Sequence, residues 1–265
     1  MSGELFSFLV YHKWFIRVEC LLAVTTILST TIYLHRHLSH GAVKLVRNLV
    51  IAFQGFLAFV LGANAREWYA GHVIHHGKAD TIGDPHTPWG FRSKGVGFLW
   101  VLFGALFAHR RASIDHPELF ARLVDSCEVT IVDKAVAYVR IPKTKYALNS
   151  FGFLGFVTFG FIGWCVGYPY QGFLLWLVNA VVCLLFFGLV NCLGHWRSSL
   201  NRQGNHATNL NWIGQLFLFG EGKHEDHHAY PRRAFHGLCD ITGWVIKLLV
   251  WYGFASLPDP SSQEL

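Results

Sequence analysis

Four apolar stretches dominate the hydropathy pattern: Val18 to Leu34, Leu49 to Ala63, Leu148 to Tyr168 and Gly172 to Leu193. A helix needs about 20 apolar residues to cross a bilayer, with about 17 as the floor. The third and fourth stretches meet this, and the short link Pro169-Tyr170-Gln171 predicts a tight helical hairpin. The first is just long enough. The second has only 15 residues and contains Gln54, Gly55 and Gly62. Histidine-rich segments flank it at 35–40 and 72–76, and a full crossing would put them on opposite faces. This stretch is therefore expected in the interface or packed against the spans. The pattern leaves open whether Leu5 to Ile16 adds a partial span. It predicts an all-α integral membrane protein: three or four transmembrane helices, interfacial helices and a cytosolic histidine-rich cap.

Composition supports this reading. Of 265 residues, 52% are hydrophobic and only 14% charged, against about 25% charged in soluble domains. Disorder, a nucleic-acid-binding arm and a disulfide-stapled mini-protein are excluded, so the expected environment is a lipid bilayer and not nucleic acid. The six cysteines form no CxxC pair and read as small buried hydrophobes. No repeat, linker or removable signal peptide is visible, so residues 1–265 read as one domain. The 169–171 link has no Lys or Arg, whereas Ala65 to Lys145 contains eleven. The positive-inside rule then places the long middle region in the cytoplasm. The expected location is multi-pass in a membrane, the inner membrane if the source is bacterial, with the site facing the cytoplasm.

Histidine carries the candidate chemistry. There are 16 His, as many as Asp and Glu together. Nine fall into four groups: His35 and His40; His72, His75 and His76; His195, four residues after Asn191; and His224, His227 and His228. On a helix, residues i, i+3 and i+4 share one face. Each H-x2-HH segment can therefore present three imidazoles, whose i+3 and i+4 rings diverge by about 100°, enough to serve two neighbouring metals. His35 and His40 would diverge by about 140° on a regular helix; they converge only where the helix ends, or by reaching different ions. Eight or nine imidazoles are too many for one metal and right for two. The other histidines (12, 37, 86, 109, 116, 206 and 236) read as surface groups or neighbours of the ligands. Imidazole suits Zn, Cu, Fe and Ni alike, but an all-nitrogen two-metal site against an apolar interior fits oxygen activation by iron.

The boxes resemble the membrane fatty acid desaturases, most closely the bacterial acyl-CoA enzymes of the stearoyl-CoA type. Tyr33-Leu34-His35-Arg36 with His40 is similar to the family's first box. Glu67-Trp68-x3-His72-x2-His75-His76 is similar to the second, followed by Asp84-Pro85-His86. Asn191-x3-His195, Ala207-Thr208-Asn209-Leu210, Gly220-Glu221, the third box, Tyr230-Pro231 and Asp240-x2-Gly243-Trp244 continue in family order. The resemblance runs from about residue 20 to 250. Val73 stands where the second box usually has Arg, and Glu225 where the third usually has Asn. Lys223, Glu225 and Asp226 are expected to alter the charge beside the metal.

The resemblance implies two iron ions held by His35, His40, His72, His75, His76, His195, His224, His227 and His228, with Asn191 reaching one iron through water. It implies a desaturase that uses O2 and two electrons to place a cis double bond in a fatty acyl chain, with acyl-CoA as the expected substrate. The electrons would come from a separate ferredoxin, rubredoxin or cytochrome b5-like donor. A di-iron hydroxylase or other oxygenase of a lipid or alkyl chain is the alternative within the same chemistry. A non-catalytic membrane carrier of metal or haem is the alternative outside it. Metal-bound imidazoles need partners on their outer nitrogen, and Asp80, Asp84, Glu221 and Asp226 are the nearest candidates. Arg36, Lys78, Arg232 and Arg233 are candidates to meet a substrate headgroup.

Overall fold

The computed structural model describes residues 2–89, 91–136, 138–140, 147–197 and 207–258. His206 lies outside these, and the side chains of His12 and His109 are likewise not described. Among the described residues helix predominates, and the strands are of two or three residues only.

Helix α1 (Ser2–Ser29) continues without a break into a wide-turned π-helical segment, Thr30–Ser39. Leu5 to Ile16 is thus the first part of α1 and not a separate partial span. Strand β1 (Lys44–Leu45) leads into α2 (Arg47–Leu61), which stops at Gly62 in the left-handed region, φ +64°. Helix α3 (Ala65–Lys78) then starts from an Asn64 side-chain cap on the amides of Arg66 and Glu67, bent by 91° from α2. The bent pair has the length and composition of a broken span or of a re-entrant loop, and histidines from both sides of α2 end in one cluster.

Short helices α4 (Lys94–Phe103), α5 (Ala105–Asp115), α6 (Pro117–Ser126) and α7 (Ile131–Ala135) follow. Strands β2 (Tyr138–Arg140) and β3 (Ala147–Asn149) form a small antiparallel pair leading into α8 (Ser150–Cys165) and α9 (Pro169–Gly194). The turn of this hairpin is 166–168, slightly earlier than the hydropathy suggested. Pro169 opens α9, where the proline's missing N–H costs nothing. Gly152, Gly155, Gly160 and Gly163 form a buried stripe on α8. A Cβ on Gly155 would lie 2.0 Å from the Phe59 carbonyl, and one on Gly160 would lie 2.1 Å from the Phe173 ring. Small residues let apolar helices pack backbone to backbone, and Trp176 fastens the contact by donating to the Phe59 carbonyl at 2.9 Å. The opposite face exposes Phe153, Phe161 and Trp164, as a lipid-facing surface does.

Two helices are long and apolar enough to cross a membrane alone, Lys13–Ser39 and Tyr170–Gly194. The bent α2–α3 pair makes a third if counted as one broken span, and α8 is apolar but has 16 residues. Thr26 and Asn179, both buried, tie the two long helices together at 3.2 Å. After α9 come α10 (Trp212–Phe217), α11 (His224–Ala229), α12 (Ile241–Trp251) and β4 (Ala255–Ser256). Helix α12 is too short to span and exposes Trp244, Leu248 and Trp251 along one face. That pattern suits a helix lying in a membrane interface. Pairing of β4 with β1 closes the end of the chain onto the exit of the π segment.

Candidate metal centre

The first ligand pair depends on the π segment. The backbone N–H of His40 donates to the His35 carbonyl at 3.2 Å, an i→i+5 bond. The wider turn brings the residue five ahead nearly above its predecessor, where a regular helix would swing it about 140° away. The two rings stand 4.9 Å apart between centroids.

Helices α3 and α11 then divide their imidazoles. On α3, His72 and His76 share one side and His75 takes the other; on α11, His224 and His228 share a side and His227 takes the other. The result is two groups: His35, His40, His72, His76 and His227 in one, and His75, His195, His224 and His228 in the second. Within each group, one candidate ligand atom per residue lies within 4.8 Å of every other. His195 joins from the C-cap of α9. All nine imidazoles singled out in the sequence are therefore brought together. Asn191 stays on α9, its amide donating to the Phe187 carbonyl at 2.9 Å.

The outer nitrogens reveal how rings are aimed. His35 Nδ1 donates to Glu221 Oε2 at 2.9 Å, His75 Nδ1 to Asp84 Oδ1 at 2.8 Å, and His195 Nδ1 to Asp80 Oδ2 at 2.8 Å. In a neutral ring each such bond leaves the Nε2 lone pair facing inward. Asp226, the fourth carboxylate considered, instead bonds Asn209 at 2.8 Å and Lys223 at 3.2 Å on the outer side of α11. Glu225 is exposed there too. The charge that departs from the family's third box consequently points away from the imidazoles, contrary to the expectation that it sits beside the metal.

The donor set fits metal ions. Nε2 atoms face one another at 3.0 Å (His35 with His227), 2.8 Å (His40 with His72), 3.0 Å (His76 with His227) and 3.1 Å (His195 with His224). Such a pair holds together as a hydrogen bond only if one nitrogen carries a proton. His35 and His195 have committed their N–H outward, and His227 Nε2 meets two other ring nitrogens at once. The buried Nε2 atoms of His75 and His228 have no hydrogen-bond partner. Burial, with neighbouring imidazoles adding, drives the rings of His224 and His227 well below the ordinary histidine range and His228 down to about 3. Neutral imidazole is the form that binds metal. Burial also pushes the Asp84 carboxyl up to about 7.

The headgroup candidates separate. Lys78, Arg232 and Arg233 are exposed, with Arg233 lying 4.0 Å over the Tyr230 ring. Arg36 is not available to a headgroup: it is 1% exposed and bound to Asp240, Glu221 and the Ala234 carbonyl. Its partners come from 185 and 204 residues along the chain, which no local pattern shows. His236, set among the ordinary histidines, is buried with its ring 5.6 Å from that of His227. His86 likewise lies 5.1 Å from His75.

Residues 12–255 match the family model described as fatty acid desaturase. The chain is 30% identical over 253 residues to a palmitoyl-monogalactosyldiacylglycerol delta-7 desaturase, chloroplastic, of Arabidopsis thaliana, an alignment covering 91% of this chain and 62% of the relative. It is 29% identical to an icosanoyl-CoA 5-desaturase of Limnanthes douglasii, covering 87% and 60%. With an sn-1 stearoyl-lipid 9-desaturase of Anabaena variabilis it shares 28% identity, covering 96% and 88%. The chain spans about three fifths of the length of the first two relatives.

Proposed function

Because this chain belongs to the fatty acid desaturase family, we propose that it is a membrane di-iron desaturase placing a cis double bond in a fatty acyl chain. The observation that carries this reading is the sorting of nine imidazoles into a group of five and a group of four. Two irons bound there would supply the oxidising power for C–H cleavage, consuming O2, two electrons and two protons with the two substrate hydrogens and releasing two waters.

The protein's own part is binding and aiming. Glu221, Asp84 and Asp80 fix ring orientation at His35, His75 and His195, so the inward nitrogens are set before metal arrives. Asn191, one turn before His195, is assigned to hold a water toward the four-imidazole group. Methylenes offer no polar handle, so the position of the double bond follows from the walls between the helices, which fix one carbon pair near the centre. Lys78, Arg232 and Arg233 are assigned to the polar headgroup, taken here as CoA. The chain is read as one domain in the bilayer, its centre on the cytoplasmic side, supplied with electrons by a ferredoxin, rubredoxin or cytochrome b5-like protein.

Mass spectrometry of lipids and acyl-CoA from an expressing host tests the proposal. Acyl products two mass units lighter than their precursors are expected. Products sixteen units heavier would assign the protein to the hydroxylases instead.

A further inference from the structure

We propose that Arg36 and Asp240 are positioning residues of the metal centre, acting through Glu221 to fix the ring of His35; this rests on the nine-imidazole reading above. The two guanidinium Nη atoms bond both oxygens of Asp240, at 2.8 and 2.9 Å. Nη2 also donates to Glu221 Oε1 at 3.1 Å, and the other oxygen of Glu221 accepts from His35 Nδ1 at 2.9 Å. One continuous path thus runs from Asp240 to the inward-facing nitrogen of His35. Asp240 is itself held at four points. Besides the two bonds from Arg36 it accepts the amides of Gly243 and His236, each at 2.8 Å. It therefore cannot pivot without releasing the start of α12.

Three further observations favour positioning over bulk stability. Arg36, Glu221 and Asp240 are each 3% exposed or less, and a buried ion network seldom stabilises more than an apolar replacement of the same shape. The backbone is also shaped around the contact: Gly220 has φ +97°, and a Cβ there would lie 2.1 Å from Asp240 Oδ1. Only glycine lets the backbone at 220 come this close to the Asp240 carboxylate. Finally, the carboxylates behind His75 and His195 also make contacts close by in sequence. Asp84 accepts the amides of Asp80 and His86, and Asp80 accepts from Thr87. Glu221 is instead reached by a charged side chain: Arg36 grips Asp240 in the bidentate fork specific to arginine and gives Glu221 a single bond from Nη2.

The test is a double-mutant cycle read on iron retention. Wild type, Asp240→Asn, Glu221→Gln, His35→Ala and the pair His35→Ala with Asp240→Asn are purified in detergent. Each is assayed for loss of iron to a chelator and for its Mössbauer spectrum. Replacing outer partners of metal-bound histidines costs about 10–100-fold in metal affinity. Asp240→Asn and Glu221→Gln are each expected to lose iron that much faster, with an altered spectrum, and Arg36→Lys, which keeps the charge without the fork, is expected to do the same. In the His35→Ala background, Asp240→Asn should cause no further loss, because its effect runs through His35. Equal losses in both backgrounds, or unchanged retention in Asp240→Asn and Glu221→Gln, would overturn the proposal. If Asp240→Asn does not fold, Glu221→Gln with its own His35→Ala pair decides it. A wild-type protein that retains no iron would instead refute the metal-centre reading beneath it.

Discussion

The backbone N–H of His40 bonds the carbonyl of His35 at 3.2 Å, and this one i→i+5 contact puts both imidazoles in the same group of five. The bond belongs to a ten-residue π segment, a conformation that concentrates at functional sites. The same sorting of rings between two neighbouring groups recurs on α3 and α11.

The sorting makes ligand variants distinguishable. His76→Ala and His40→Ala should weaken the five-imidazole site, and His75→Ala and His195→Ala the four-imidazole site. Each is expected to lower iron from two per chain toward one and to reduce turnover by at least about 100-fold, the upper range for disturbed metal sites. Mössbauer spectra of the two classes should lose different components. Full turnover in His76→Ala would break the site as described.

Carboxylates near the third and second boxes should differ sharply. Asp84→Asn and Asp80→Asn remove partners of His75 and His195 and are expected to lose metal about 10–100-fold more readily. Asp226→Asn removes an outer contact with Lys223 and Asn209. Its effect on stability should stay within about 1 kcal/mol, with metal content unchanged. Chelator competition followed by thermal unfolding measures both.

Acidification should unfold the metal-free protein. Burial lowers His236 to about 4 in the folded chain, from an ordinary value of 6.5. Between these values the unfolded chain binds the extra proton. Stability from this residue is therefore complete above pH 6.5 and falls as the pH drops through that window. By pH 4 the loss is on the order of 3 kcal/mol from His236 alone. Urea midpoints of the apo protein at pH 7.5 and 5 should show the decline, and His236→Gln should remove its own share, leaving that of the other buried imidazoles.

The three exposed cations should behave as surface groups. Lys78→Gln, Arg232→Gln and Arg233→Gln are expected to raise KM for an acyl substrate carrying an anionic headgroup while leaving kcat unchanged. Arg36→Gln should instead lower iron content. Steady-state kinetics with acyl-CoA separates the two behaviours.

Much of this was legible from spacing. The H-x2-HH segments read correctly as helices that send their rings to two separate groups, because i, i+3 and i+4 geometry is local. The apolar stretches likewise marked α1 and α9. The 35–40 pair was harder: a 3.6-residue period sets its rings apart, and nothing local announces a π turn. Arg36 read as a headgroup contact because its neighbours are one turn away in sequence, whereas Glu221 and Asp240 arrive only through the tertiary fold. Lys223, Glu225 and Asp226 looked close to the metal because they adjoin the third box, but helical rotation turns them outward.

Iron content and spectrum of the purified wild-type protein test the central claim most directly. Two irons per chain, with Mössbauer parameters of imidazole-ligated sites in two distinct environments, are predicted. One equivalent of zinc or copper, with no oxygen consumed when electrons and acyl substrate are supplied, would contradict it.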